Sequence, residues 1–357
     1  MAEEIKKEEL TKQDKKHRVW FAVRMVIFVV VTLCVLTWAI YVLTPKYQYG
    51  ICGMYHYYWL PEDSVDVLAV GTSLSYTDLN TNILWSEYGI ACYDLGTAEQ
   101  PYWSTYYYLK EALKYQKPKL VLLDLKACTY FDDTVDRTRT VLCTFGILDP
   151  INRLSAIKEC VEDSEFLGYA LAFSQIHTNY VKLSEEMFQL PASNGNRGQN
   201  WKGYVEKDEI AEHDTPSIKW DFETRDLLPH EEEYFRKILQ LCVDEGVEVM
   251  LIGYPNADYK HDHYYYCRGF EIAEEYGITG INYNLPENRP DIDFATEVAD
   301  WQHLNISGSV KFTEKVGADL KELYDLPDRR GDEHYESYQA EADRWYTAYP
   351  KYSPYNY

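Results

Sequence analysis

The chain has 357 residues, 34 of them tyrosine, and a formal net charge of -23. So acidic a surface repels phosphate backbones, which argues against nucleic acid as a partner. The length suits one large α/β domain with appendages and is enough to bury a sizeable core.

Residues 1–18 are polar and rich in lysine, and read as a cytoplasmic tail. From Val19 to Leu43 the chain is apolar except for Arg24. Its uninterrupted part, Met25 to Leu43, holds about 19 residues, the length a hydrocarbon core requires. Trp20, Trp38 and Tyr41 lie near the ends, where interfacial aromatics belong, and Arg24 can snorkel to the headgroups. The run is too long for a signal peptide, and no Ala-x-Ala-like site follows it. Basic residues precede it, so the positive-inside rule places the amino terminus in the cytoplasm and the rest outside the cell membrane. Of eight cysteines, Cys34 falls in the span; an odd number remains outside, with no C-x-x-C and no metal-ligand spacing. A Cys128–Cys143 disulfide stays open.

Residues 44–60 read as an aromatic stalk that packs on the domain or on the membrane surface. The run Ser64-Val-Asp-Val-Leu-Ala-Val70 is then a short, β-branched, buried strand that stops at Gly71 and leads into Thr72-Ser73-Leu74-Ser75. A strand that ends in Gly-x-Ser and turns into a helix presents a serine at the carboxyl edge of a sheet, under the helix's first N–H groups. A second strand ends near Gly96 and a helix spans Tyr102–Tyr115. Lys117–Leu125 is the third strand, set off from the helix by Pro118.

Residues of about 130–225 break this rhythm and read as a helical insertion, a lid or substrate-binding surface. It has helices over Leu148–Cys160 and Phe166–Phe188 and a turn-rich loop over Pro191–Asn200; His177 reads as structural. The β-α alternation resumes with a helix at Pro229–Glu245, a strand at Val247–Gly253, a helix near Tyr264–Tyr276 and a strand at Ile278–Tyr283. His261-Asp-His263 reads as a solvated loop or helix start, and Asp291-Ile-Asp293 as acids adjacent by chance. The last helix, Ser307–Leu323, opens on Asn305-Ile-Ser-Gly308, which is capping chemistry. Residues 327–357 show no evident period and read as an acidic, tyrosine-rich tail, disordered or adhesive.

Before that helix stands Asp300-Trp-Gln-His303. An acid three residues ahead of a histidine can reach Nδ1 and leave Nε2 free to accept a proton from a serine. Together, the Ser73 turn and this Asp-x-x-His resemble the SGNH (GDSL-type) hydrolase superfamily, over roughly residues 64–125 and 247–323. The resemblance implies an α/β fold with a three-layer, flavodoxin-like parallel sheet over residues 61–326. It also implies Ser73 as nucleophile, His303 as base and Asp300 as its orienter, with no metal or organic cofactor. The Ser73 and Gly96 N–H groups would hold the oxyanion, and Gln100 would line the same pocket. Where the family has a Gly-x-Asn-Asp block, this chain has Lys126-Ala-Cys-Thr129, so a third oxyanion donor is unassigned. With the anchor, the chain is similar to the membrane-bound branch that holds the D protein of teichoic-acid D-alanylation and the alginate and peptidoglycan O-acetylation proteins. That likeness implies acyl transfer from an acylated donor to an envelope glycan or teichoic acid, beside a membrane-bound O-acyltransferase partner. An esterase using the same triad, and a non-catalytic envelope-binding protein on a degenerate hydrolase fold, are the competing expectations.

Overall fold

The computed structural model describes residues 2–44, 50–130, 137–188, 201–216, 223–257 and 259–353. The chain divides into two compact units, residues 1–45 with 167–189 and residues 46–166 with 190–357.

The first unit is built on one helix, Ala2–Leu43, whose stretch from Asp14 is long and apolar enough to cross a membrane. Three short helical turns, Phe173–Ile176, His177–Lys182 and Glu185–Phe188, pack on it. The sequence leads one to expect a single helix over Phe166–Phe188. The structure breaks it after Ala170, and Ala172 takes φ 52°, which no helix accommodates.

The second unit is an α/β domain around a five-stranded parallel sheet: β1 (Val67–Val70), β2 (Cys92–Asp94), β3 (Leu120–Asp124), β4 (Glu248–Gly253) and β5 (Thr279–Asn282), in the order β2-β1-β3-β4-β5. Successive strand residues supply opposite layers. Leu68, Val70, Val121, Leu123 and Leu251 face a core shared with Trp103, Leu109, Phe235 and Ile272. Val67, Ala69, Leu120, Leu122 and Ile252 face another, shared with Leu84, Phe312, Val316 and Leu320. Strands covered on both faces have no polar side to show, which is why they read as continuous apolar runs. The strand order reverses between β1 and β3, and the carboxyl edge at such a switch point is where open α/β sheets bind ligands. Ser73 follows β1.

Two segments expected as appendages belong to this domain. The stalk does pack on the domain, as a helix, Ile51–Tyr57, that buries Ile51, Met54 and Tyr57, with Tyr57 edge-on to Tyr93 at 5.2 Å. The supposed tail is also structured: Glu336–Ala348 is a helix that buries Tyr338, Ala342, Trp345 and Tyr346. Those residues do recur at helical spacing, but the apolar stripe is aromatic, and counting tyrosine as polar hides it. Arg329 ties this region to the start of β1 by a two-pronged pair with Asp66, both bonds at 2.8 Å. The His261–His263 stretch begins a helix, as expected, but is not wholly solvated. Asp262 is buried against Lys126 at 2.6 Å, and His263 is buried beside the Tyr259 hydroxyl at 3.1 Å. Cys128 and Cys143 are buried and do not form a disulfide, and the expected loop over residues 191–200 lies outside the described residues.

Candidate active site

The Ser73 side is made by local structure. β1 ends at Val70, Thr72 caps the short Ser73–Asp78 helix by accepting from the Leu74 N–H at 3.3 Å, and Ser73 is the first residue of that helix. Its N–H, like every first-turn donor, has no intrahelical acceptor. Thr72 is held from below, its N–H and hydroxyl both donating to Asp124 Oδ2, at 2.9 and 2.6 Å, from the end of β3.

The base side comes from a loop carried by an isolated antiparallel bridge, Val298 to Leu304. Asp300 turns back on its own loop and accepts from the Gln302 and His303 N–H groups at 2.9 and 3.0 Å. His303 Nδ1 lies 2.8 Å from both Asp300 oxygens, and Nε2 lies 2.7 Å from Ser73 Oγ. Residues 230 positions apart in sequence are thus joined in a Ser-His-Asp chain with hydrogen-bond spacing at each link. Asn305 caps the following helix, Ile306–Leu323, through bonds from Ser307 and Gly308 N–H, which fixes where the loop ends.

A fourth group, Lys207, has no counterpart in the sequence reading. Its Nζ stands 2.9 Å from Asp300 Oδ2 and 3.3 Å from His303 Nδ1. Burial works against ionisation of Asp300, but the bonds from His303, the Gln302 N–H and Lys207 outweigh it and hold the carboxyl well below the usual carboxylate range. Lys207 lies in an irregular strip laid across the base loop. Val205 N–H donates to the Tyr76 carbonyl at 2.7 Å, Ile306 N–H to the Lys207 carbonyl at 2.9 Å, and Ala211 N–H to the Val298 carbonyl at 3.0 Å. The strip reaches the sheet edge at Gly203, where φ is +97° and a Cβ would stand 2.1 Å from the Asp94 carbonyl oxygen; only glycine fits.

Buried carboxylates underlie the site. Asp78 Oδ1 accepts the Leu304 N–H at 2.9 Å, joining the Ser73 helix to the residue after His303, and burial pushes its carboxyl well up. Asp94 accepts from the Ser75 hydroxyl, which in turn accepts from Tyr254 OH at 3.2 Å; burial pushes Asp94 up to about 7. Asp124 is raised by burial too, against the pull of its Thr72 and Lys126 bonds.

The two expected pocket residues are placed differently. Gly96 lies against the nucleophile turn, since a Cβ on it would stand 2.9 Å from the Thr72 carbonyl oxygen. Its N–H donates to Asp94 Oδ1 at 2.6 Å. The cause is an Asx-type turn, Asp94-Leu-Gly96, in which a carboxylate bonds the N–H two residues on. Gln100 is fully buried and its amide N–H donates to Thr105 Oγ1 at 3.0 Å. Among the described residues, no cluster of three or more His, Cys, Asp or Glu is arranged to hold a metal ion. In comparisons with known proteins, no family model matches this chain, and no curated protein matches it.

Proposed function

We propose that the protein is a membrane-anchored serine acyl-ester enzyme of the SGNH type, working outside the cell as an O-acyltransferase on an envelope polysaccharide or teichoic acid. The observation that carries this reading is the 2.7 Å approach of His303 Nε2 to Ser73 Oγ, with Asp300 on the far side of the imidazole. In the reaction, Ser73 Oγ attacks the donor's acyl carbonyl as its proton passes to His303 Nε2, and Asp300 holds the tautomer that leaves Nε2 free. The oxyanion forms near the Ser73 N–H. His303 then gives the proton to the departing donor alcohol or thiol, leaving the acyl group on Ser73. An acceptor hydroxyl surrenders its proton to His303 and takes the acyl group, restoring Ser73. Basic residues ahead of the apolar helix support a cytoplasmic amino terminus, and a multi-span O-acyltransferase is the partner we expect to supply the donor.

One observation favours a second reading, hydrolysis of the acyl-enzyme by water. The Asp300 side chain is 37% exposed, so solvent reaches the triad from that side. The test is turnover of p-nitrophenyl acetate by the solubilised full-length chain, with and without an added soluble glycan acceptor. Acetyl groups recovered on the glycan support transfer, and acetate alone supports the esterase. No turnover above that of Ser73→Ala would overturn both.

A further inference from the structure

We infer that residues 167–188 form a second membrane contact, an apolar platform sunk into the outer interfacial layer of the lipid bilayer beside the end of the spanning helix. This rests on the reading of Val19–Leu43 as a membrane span.

The segment has two apolar faces. Its inner face buries Tyr169, Ala172, Ile176 and Met187. The outer side leaves Leu167, Leu171, Tyr180, Val181, Leu183 and Phe188 between 48% and 68% exposed. Single exposed apolar side chains are ordinary on a soluble surface, but six within one short segment are a patch that needs a cover. What covers them follows from where the segment sits on the helix. Asn179 Nδ2 donates to the Leu43 carbonyl oxygen at 2.9 Å, tying the segment to the helix's last turn. The Phe188 ring lies 6.3 Å from that of Trp38. At about 1.5 Å rise per residue, Trp38 and Leu43 differ in height by about 7.5 Å. That is close to the depth of about 5–10 Å at which interfacial helices rest. The exposed patch therefore continues the apolar surface that the span itself presents to lipid, at the level where interfacial aromatics collect.

Charge plays little part, because residues 167–188 carry one lysine, Lys182, against Glu185 and Glu186. Attachment is by apolar burial, without attraction to anionic headgroups. The middle of the insertion thus lies on the bilayer.

The full-length chain is reconstituted into phosphatidylcholine vesicles containing a phosphatidylcholine with a photoactivatable diazirine in its acyl chain, and cross-linked residues are mapped by mass spectrometry. Labelling is expected both within residues 19–43 and within residues 167–188, and is expected to be unchanged in molar salt. The double variant Val181→Asp, Leu183→Asp should lower labelling of the segment by about tenfold while leaving that of the span intact. A labelled span with an unlabelled 167–188 would overturn the platform and assign that surface to a protein neighbour. An unlabelled span would overturn the anchor reading, and the platform with it.

Discussion

Ser73 follows a strand whose four residues are all fully buried, whereas His303 stands on a loop held by a single bridge and by hydrogen bonds from other parts of the chain. The proposed nucleophile is placed by main-chain geometry: strand, turn and helix leave Ser73 little choice of position. The base is placed by side chains and by a strip far away in sequence. Asp300 bonds two N–H groups of its own loop, Asp78 takes the Leu304 N–H, and the strip through Lys207 lies over both. The two halves of the proposed catalytic chain can therefore fail in different ways. Damage to the nucleophile half is expected to be chemical, and damage to the base half to be positional and graded.

The largest effects should come from the reacting groups. Ser73→Ala and His303→Ala should each lower p-nitrophenyl acetate turnover by about 10⁴-fold or more, with unchanged far-ultraviolet circular dichroism. The double variant should be no worse than either single one, because the two residues act as a unit. Next comes Asp300→Asn, which keeps the loop's shape but can bind the wrong imidazole tautomer; a loss in kcat on the order of 10³–10⁴-fold is expected. If Asp300→Asn were nearly harmless, the base half would not depend on this carboxylate.

Lys207→Met should be milder, about three- to tenfold in kcat, because this partly exposed pair is screened by solvent and Asp300 keeps its bonds from the loop. Lys207→Arg should recover most of that loss, which a purely steric role would not explain. The smallest effect on activity is expected from Asp94→Asn, which is instead a test of stability. Asp94 is raised by burial to about 7 from an ordinary value near 4, so the folded state holds its proton more tightly than the unfolded chain does. Its contribution to stability is therefore fully present at acid pH and is lost as pH rises from about 4 to about 7. Thermal midpoints of the solubilised chain should fall less steeply over that interval in Asp94→Asn than in the wild type. An unchanged slope would mean that Asp94 is ionised in the fold.

Much of the sheet was legible because strands buried on both faces advertise themselves. Val67–Val70, Leu120–Asp124 and Glu248–Gly253 all fall inside the apolar runs, and Pro229–Glu245 has the expected bounds. The nucleophile half was legible for the same reason. The Asp300–His303 spacing was legible because three residues suffice for the acid to fold back on the ring. Lys207 was not, since it lies in a strip without helix or strand period and meets Asp300 only through tertiary contacts. The bond from the Gly96 N–H to Asp94 was not part of the sequence reading, although an aspartate two residues before a glycine is the signal for such a turn. The carboxylates at the ends of β2 and β3, Asp94 and Asp124, gave a usable signal: an acid closing an apolar strand at the edge where sites form. The helix at Glu336–Ala348 was hidden by composition, its period written in tyrosine and tryptophan instead of leucine.

The central claim is that Ser73 is a nucleophile activated by His303. It is tested most directly by exposing the full-length chain to a serine-reactive fluorophosphonate and locating the adduct by mass spectrometry. The account predicts one adduct on Ser73 in the wild type, none in Ser73→Ala, and labelling slowed by orders of magnitude in His303→Ala. A wild-type Ser73 that stays unmodified, or labels as slowly as it does in His303→Ala, would contradict it.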